Sequence, residues 1–168
     1  MMFIRTKKVK GNHYAYLVKN AWNEGRTRQK NVKYLGKVFF VDEKNQKGFS
    51  VSDELVRSLA LWQAEKLGFR REKEKLELKE NGHSIRFSPQ SFRLVCEGND
   101  CVIRANEGFF CQYTLKQLRK SVRNFASYDK SEPSELAKLG KDLAGNLLEA
   151  GIMISKEDFQ RLVLEIIG

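Results

Sequence analysis

Polar and apolar residues alternate along the opening of this chain, and the period predicts strands. Phe3 to Val9 alternates loosely, Gly11-Asn12 marks a turn, and His13 to Trp22 sets Tyr14, Tyr16, Val18 and Trp22 on one face. Asn23-Glu24-Gly25 reads as a short hairpin loop with a glycine able to take positive φ, and Arg26 to Leu35 follows as a third strand. A loop of those three residues pairs Trp22 with Arg26, Asn20 with Arg28, Val18 with Lys30, Tyr16 with Val32 and Tyr14 with Tyr34. One face then runs from aliphatic and aromatic at its base to aromatic and cationic near its tip. The other carries Ala15, Leu17, Lys19, Thr27, Gln29, Asn31 and Lys33, apolar at the base and polar at the tip. Such a gradient predicts a three-stranded meander anchored at one end and projecting at the other.

After a short apolar run, Val38 to Val41, the polar segment Asp42 to Gly48 has turn character and predicts a module boundary at 41/42. Ser52 before Asp53-Glu54 predicts a helix start, with Leu55, Val56, Leu59, Ala60 and Leu67 on its apolar face and Gly68 as its stop. Five antiparallel strands are expected next. Asn81-Gly82 turns the first pair, setting Leu78 against Ile85 and Leu76 against Phe87. A second hairpin about Gly98-Asn99 sets Leu94 against Ile103 and Cys96 against Cys101, and Phe109 to Tyr113 makes the fifth strand. Thr114 predicts a helix with Leu115, Leu118, Val122 and Phe125 on one side. Ser131 to Ser134 and Ser155 begin two more, which read as an antiparallel helical hairpin able to finish the core or pair with a second copy. The expected class is α+β: a basic meander in residues 1–41, then an α+β domain over 42–168.

Charge changes the picture most. Residues 3–38 hold ten cations (Arg5, Lys7, Lys8, Lys10, Lys19, Arg26, Arg28, Lys30, Lys33 and Lys37) against Glu24 alone, nine of the chain's ten net positive charges. Interleaved with Tyr14, Tyr16, Trp22 and Tyr34, that bias is the footprint of a surface that meets a polyanion. Lysines and arginines reach phosphates, Gln29 and Asn31 have the amides that read base edges, and Tyr16 and Trp22 are able to stack on bases. A local basic stripe, Lys116, Arg119, Lys120 and Arg123, falls at helical spacing and is either a second phosphate-contacting surface or a solvated helix face.

Candidate chemistry is thinner. Cys96, Cys101 and Cys111 are an odd number without an export signal, so free thiols are the simpler reading. With His83 they sketch a metal site whose spacing is poor for zinc. Glu77-Leu78-Lys79 resembles the E-x-K end of a magnesium-dependent nuclease signature, with Asp53 or Asp42 as the upstream acid, but charged residues make up 31% of the chain and produce this motif by chance. Phosphate-cradling, dinucleotide and nucleophile-elbow motifs are absent, and no cofactor is expected. No apolar run approaches the roughly 20 residues of a membrane span, so a cytoplasmic protein is expected.

One stretch also resembles something known. Lys8, Gly11, Asn12, Tyr14, Tyr16, Leu17, Val18, Gly25, Arg26, Arg28, Gln29, Lys30, Tyr34, Leu35, Gly36 and Lys37 form a pattern similar to the basic start of some insertion-sequence transposases and small archaeal proteins. The resemblance implies a β-rich, DNA-engaging module. Together these readings point to a nucleic-acid-binding protein, DNA favoured over RNA. The alternatives are a protein-interaction or ribosome-associated factor, and a metal-dependent nuclease built on Glu77 and Lys79.

Overall fold

Two-residue turns build most of the sheet. The computed structural model describes residues 1–50, 54–129 and 132–168. The meander consists of β1 (Met2–Val9), β2 (Asn12–Asn23) and β3 (Arg26–Phe40). Its loops are Lys10-Gly11 and Glu24-Gly25, whose φ angles of 48°, 81°, 49° and 72° are those of the turn that matches strand twist. The expected three-residue loop is therefore too long by one. Asn23 pairs with Arg26, Trp22 faces Thr27, Asn20 faces Gln29 and Val18 faces Asn31. Two bulge-like shifts nearer the base set Tyr16 against Tyr34 and Tyr14 against Lys37, in place of the expected partners.

Helix α1 (Leu55–Lys66) follows. Ser52 and Asp53 lie outside the described residues; the Glu54 carboxylate caps the helix, accepting from the Arg57 backbone N–H at 2.9 Å. Six strands then replace the expected five, because Lys73, at a φ of 56°, breaks the first into β4 (Arg70–Glu72) and β5 (Lys75–Glu80). They continue as β6 (His83–Ser88), β7 (Arg93–Cys96), β8 (Asn99–Ala105) and β9 (Gly108–Phe110). At Asn81-Gly82 the expected register holds, with Leu78 opposite Ile85 and Leu76 opposite Phe87, all buried. The next turn is Glu97-Gly98, one residue earlier than Gly98-Asn99. Cys96 accordingly faces Asn99 and not Cys101, and the pairing of Leu94 with Ile103 is lost.

Helix α2 (Gln112–Ala126) starts before Thr114, which sits inside its first turn and accepts from the Cys111 N–H at 3.3 Å. Helix α3 (Pro133–Glu149) begins on proline, a residue suited to a first turn. Ser131 lies outside the described residues. Helix α4 (Lys156–Ile167) is capped by Ser155, whose hydroxyl accepts from the Asp158 N–H at 3.0 Å.

The α+β class holds. Its sheet is mixed, in the order β1-β2-β3-β8-β7-β6-β5-β4, with β9 beside β8. One parallel ladder, Lys37–Phe40 against Cys101–Arg104, joins the meander to the remaining strands. β8 is the branch point, since its first residues pair with β7 and its last with β9. Buried side chains form a cluster that takes Ala15, Leu17, Val38 and Phe39 from the meander and Leu59, Phe87, Val102, Ile103 and Leu118 from beyond residue 42.

Candidate nucleic-acid interface

Length mismatch creates the feature that dominates the surface. β1 pairs with β2 only as far as Lys19, and β8 touches β3 only from Lys37 onward. Residues 20–29 therefore pair with nothing but each other, as a two-stranded ribbon. At about 3.4 Å per residue the ribbon runs about 14 Å from the Lys19–Lys30 pair to its last pair. Every side chain from Lys19 to Tyr34 is exposed except half-buried Ala21, and Trp22 is 75% exposed. At the base the chain changes character abruptly: Ala15, Leu17, Val18, Leu35 and Val38 are buried. An apolar root holds a polar arm.

Directly opposed residues on an antiparallel pair share a face. The observed register therefore places Arg26, Arg28, Lys30, Lys19 and, opposite Leu17, Lys33 on one face of the arm. Trp22, Thr27, Asn20, Gln29, Asn31, Tyr16 and Tyr34 fall on the other. The one-residue slip from the expected register is what sorts them, since such a slip moves a strand's whole side-chain set to the opposite face. Trp22, expected beside Arg26 and Arg28, lies across the ribbon from them.

Among the described residues, none of Lys19, Arg26, Arg28, Lys30 and Lys33 is in an ion pair, and the same holds for Lys7, Lys8 and Lys10 on β1 and its turn. No carboxylate among the described residues compensates their charge at ion-pair distance. On the aromatic face, Tyr34 packs against Tyr16 with centroids 5.3 Å apart and against Tyr14 at 6.4 Å. Partial burial, then the neighbouring phenols of Tyr16 and Tyr14, push the Tyr34 hydroxyl up, so it stays a neutral donor. Gln29 is not wholly free, because its side-chain oxygen accepts from the Arg5 guanidinium. Sequence reasoning passed over Arg5 as a partner of Gln29. The expected register hid it by putting Gln29 on the face opposite Tyr16; the observed one brings Gln29 to the face of Tyr16 and of Arg5 across from it.

The α2 stripe divides. Lys116, Lys120 and Arg123 are exposed and unpaired among the described residues. Arg119 is engaged within the fold, its guanidinium 3.5 Å from the Glu54 carboxylate and 4.2 Å from the Phe92 ring centre. Lys116 and Lys33 line one cavity of about 100 Å³ at the root of the arm, together with Tyr34, Gln112 and Arg93. Arg93 is paired there with Asp100 at 2.6 Å. Nothing in the sequence marks this meeting; it follows from β8 leading into β9 and α2 beside the foot of β3.

The other sketched sites take different forms. Cys111 caps α2 from a buried position, and burial pushes the Cys101 thiol up to about 12. The expected His83, Cys96, Cys101 and Cys111 set is not a single cluster. His83 and Cys96 instead meet Glu97, with one ligand atom of each lying within 4.8 Å of the others. Glu77 and Lys79 share the outward face of β5, where a hydrogen bond from Ser84, then one with Glu72, holds the Glu77 carboxyl low. Asp53 lies outside the described residues. Three strands, β8, β7 and β6, stand between β5 and β3.

No family model, curated protein or solved structure matches this chain. Among the described residues no helix is long and apolar enough to cross a membrane.

Proposed function

We propose that this chain is a nucleic-acid-binding protein, with DNA favoured over RNA, whose projecting β-arm neutralises phosphates. The supporting observation is the face of five exposed cations, Lys19, Arg26, Arg28, Lys30 and Lys33, on an arm whose outer part has no neighbouring strand, with none of the five in an ion pair among the described residues. Holding like charges together without counterions is unfavourable for an isolated fold, and a polyanion relieves it by displacing its own condensed counterions. Tyr16 and Trp22 offer stacking surface, while Asn31 and Gln29 offer amides for base edges. The free thiols Cys96, Cys101 and Cys111 suit a reducing, cytoplasmic setting.

The test is a salt titration. Replacing Arg26, Arg28 and Lys30 with alanine should reduce the slope of log affinity against log salt by up to about 2.7, at roughly 0.9 per lost duplex phosphate contact. An unchanged slope would remove the arm from the binding surface.

Protein interaction has its own support at the other end of the chain. Leu148, Met153 and Leu164, on or beside α3 and α4, are each more than half exposed. Self-association through these helices is the form that reading takes, and light scattering across a concentration series tests it. A constant monomer mass would sink it.

A further inference from the structure

We infer that the arm's ligand is B-form duplex DNA, with the ribbon seated in the major groove and Lys33 and Lys116 clasping the backbone at its root. This rests on the nucleic-acid reading above and narrows it to one kind of nucleic acid.

Both faces of the arm are exposed. A ligand met by one face would leave the other idle, yet here the two faces carry different and complementary chemistry. Thr27, Asn20, Asn31 and the amide nitrogen of Gln29 offer hydrogen-bonding groups on one, beside the exposed Trp22 ring at the tip and Tyr16 and Tyr34 at the base, and Arg26, Arg28, Lys30 and Lys19 offer charge on the other. A groove has a floor of base edges and rims of phosphate. A ribbon with its side chains is about 10 Å thick, and the major groove is about 8.5 Å deep and 12 Å wide. With the amide face on the floor, the cationic face stands level with the phosphate rims. Long, flexible Lys and Arg side chains then reach the rims on either side.

The competing forms lack the matching shape. A minor groove about 6 Å wide excludes a ribbon bearing side chains on both faces. The A-form major groove of duplex RNA is deep but too narrow for side chains to read. A single strand has no rims, and would leave the cationic face or the amide face unused.

At the root the cationic face does not end. Lys33 opens onto the cavity that Lys116 also lines, and Lys120 and Arg123 follow along α2. The first turn of α2 carries no acidic side chain of its own, and Asp100, which also lines the cavity, is held by Arg93. The duplex backbone leaving the arm would meet this corner.

The experiment uses the full chain and fluorescence anisotropy. Probes are a duplex DNA, the same duplex with glucosylated hydroxymethylcytosine filling its major groove, single-stranded DNA and duplex RNA, with netropsin added separately to block the minor groove. Groove seating predicts binding to unmodified duplex at least about tenfold tighter than to the other three, with netropsin without effect. Lys116→Ala should lower the salt slope on unmodified duplex by about 0.9. Equal affinity for glucosylated duplex, competition by netropsin, or a preference for single strands or RNA would overturn the inference while leaving nucleic-acid binding intact. An unchanged slope in the Lys116 variant would overturn the clasp. Failure to bind any of the four probes would bring down the broader reading instead.

Discussion

Gly36 is where the arm's base is held against the body. Its φ of 127° lies where side chains are rarely tolerated, and an added Cβ would sit 2.2 Å from the Asp100 carbonyl oxygen on the neighbouring strand. Gly36→Ala should cost at least about 2 kcal/mol, read by denaturant unfolding, since it combines backbone strain with a clash against main chain. At Gly25 on the arm tip a Cβ would meet nothing within 4 Å. Gly25→Ala should cost only the conformational strain of positive φ, about 1 kcal/mol. Cys101 gives a pH signature. Burial first, then the neighbouring Cys96, Asp100 and Cys111, push its thiol from 9.0 up to about 12. Below pH 9 both folded and unfolded chains keep the proton; above it only the unfolded chain releases it. Stability should therefore fall as pH rises from 9 toward 12, by about 1.4 kcal/mol per unit for this thiol, and Cys101→Ala should flatten that slope in pH-dependent denaturation. Cysteine count alone implied free thiols. Alternation on the predicted strands also marked them as small buried residues, and all three are buried.

Strand lengths, at the scale of elements, decide what the arm is. β2 and β3 have 12 and 15 residues against 8 in β1, and the surplus has no neighbour. Replacing residues 20–29 with Asn-Gly would join Lys19 to Lys30 through the same kind of two-residue turn. Because the removed side chains are exposed apart from half-buried Ala21, unfolding free energy should change by less than about 1 kcal/mol. Nucleic-acid affinity should drop sharply in the same variant, and affinity retained without the arm would contradict the proposed function. The alternation and turn residues made all three strands legible. A one-residue error in the loop was enough to misplace the faces, because x-Gly pairs accept both two- and three-residue loops and only the base of the sheet arbitrates.

Across the whole molecule, one parallel ladder links the strands of the meander to those after residue 42, and side chains of β1 and β2 join the same core. Val38 lies against Val102, both buried, and Phe39 against Ile103. Removing residues 1–41 would strip β8 of that partner and expose buried aliphatic surface along it. Residues 42–168 alone should lose cooperative thermal unfolding by circular dichroism, while the full chain melts in a single transition. A sharp, unaltered transition in the shorter chain would show that the ladder is dispensable.

The linear order of residues determined local things: which stretches are strands, where helices stop, and that nine net charges gather at one end. Period, turn chemistry and charge act between near neighbours, so they are written along the chain. Tertiary structure alone decided which face of the arm bears the cations, that Arg119 pairs inward with Glu54 while Lys116 stays free, and that Lys33 and Lys116 share a cavity. Those outcomes depend on the foot of β3 lying beside β8 and α2. The contact joins residues more than 60 positions apart, beyond the reach of any period in the sequence.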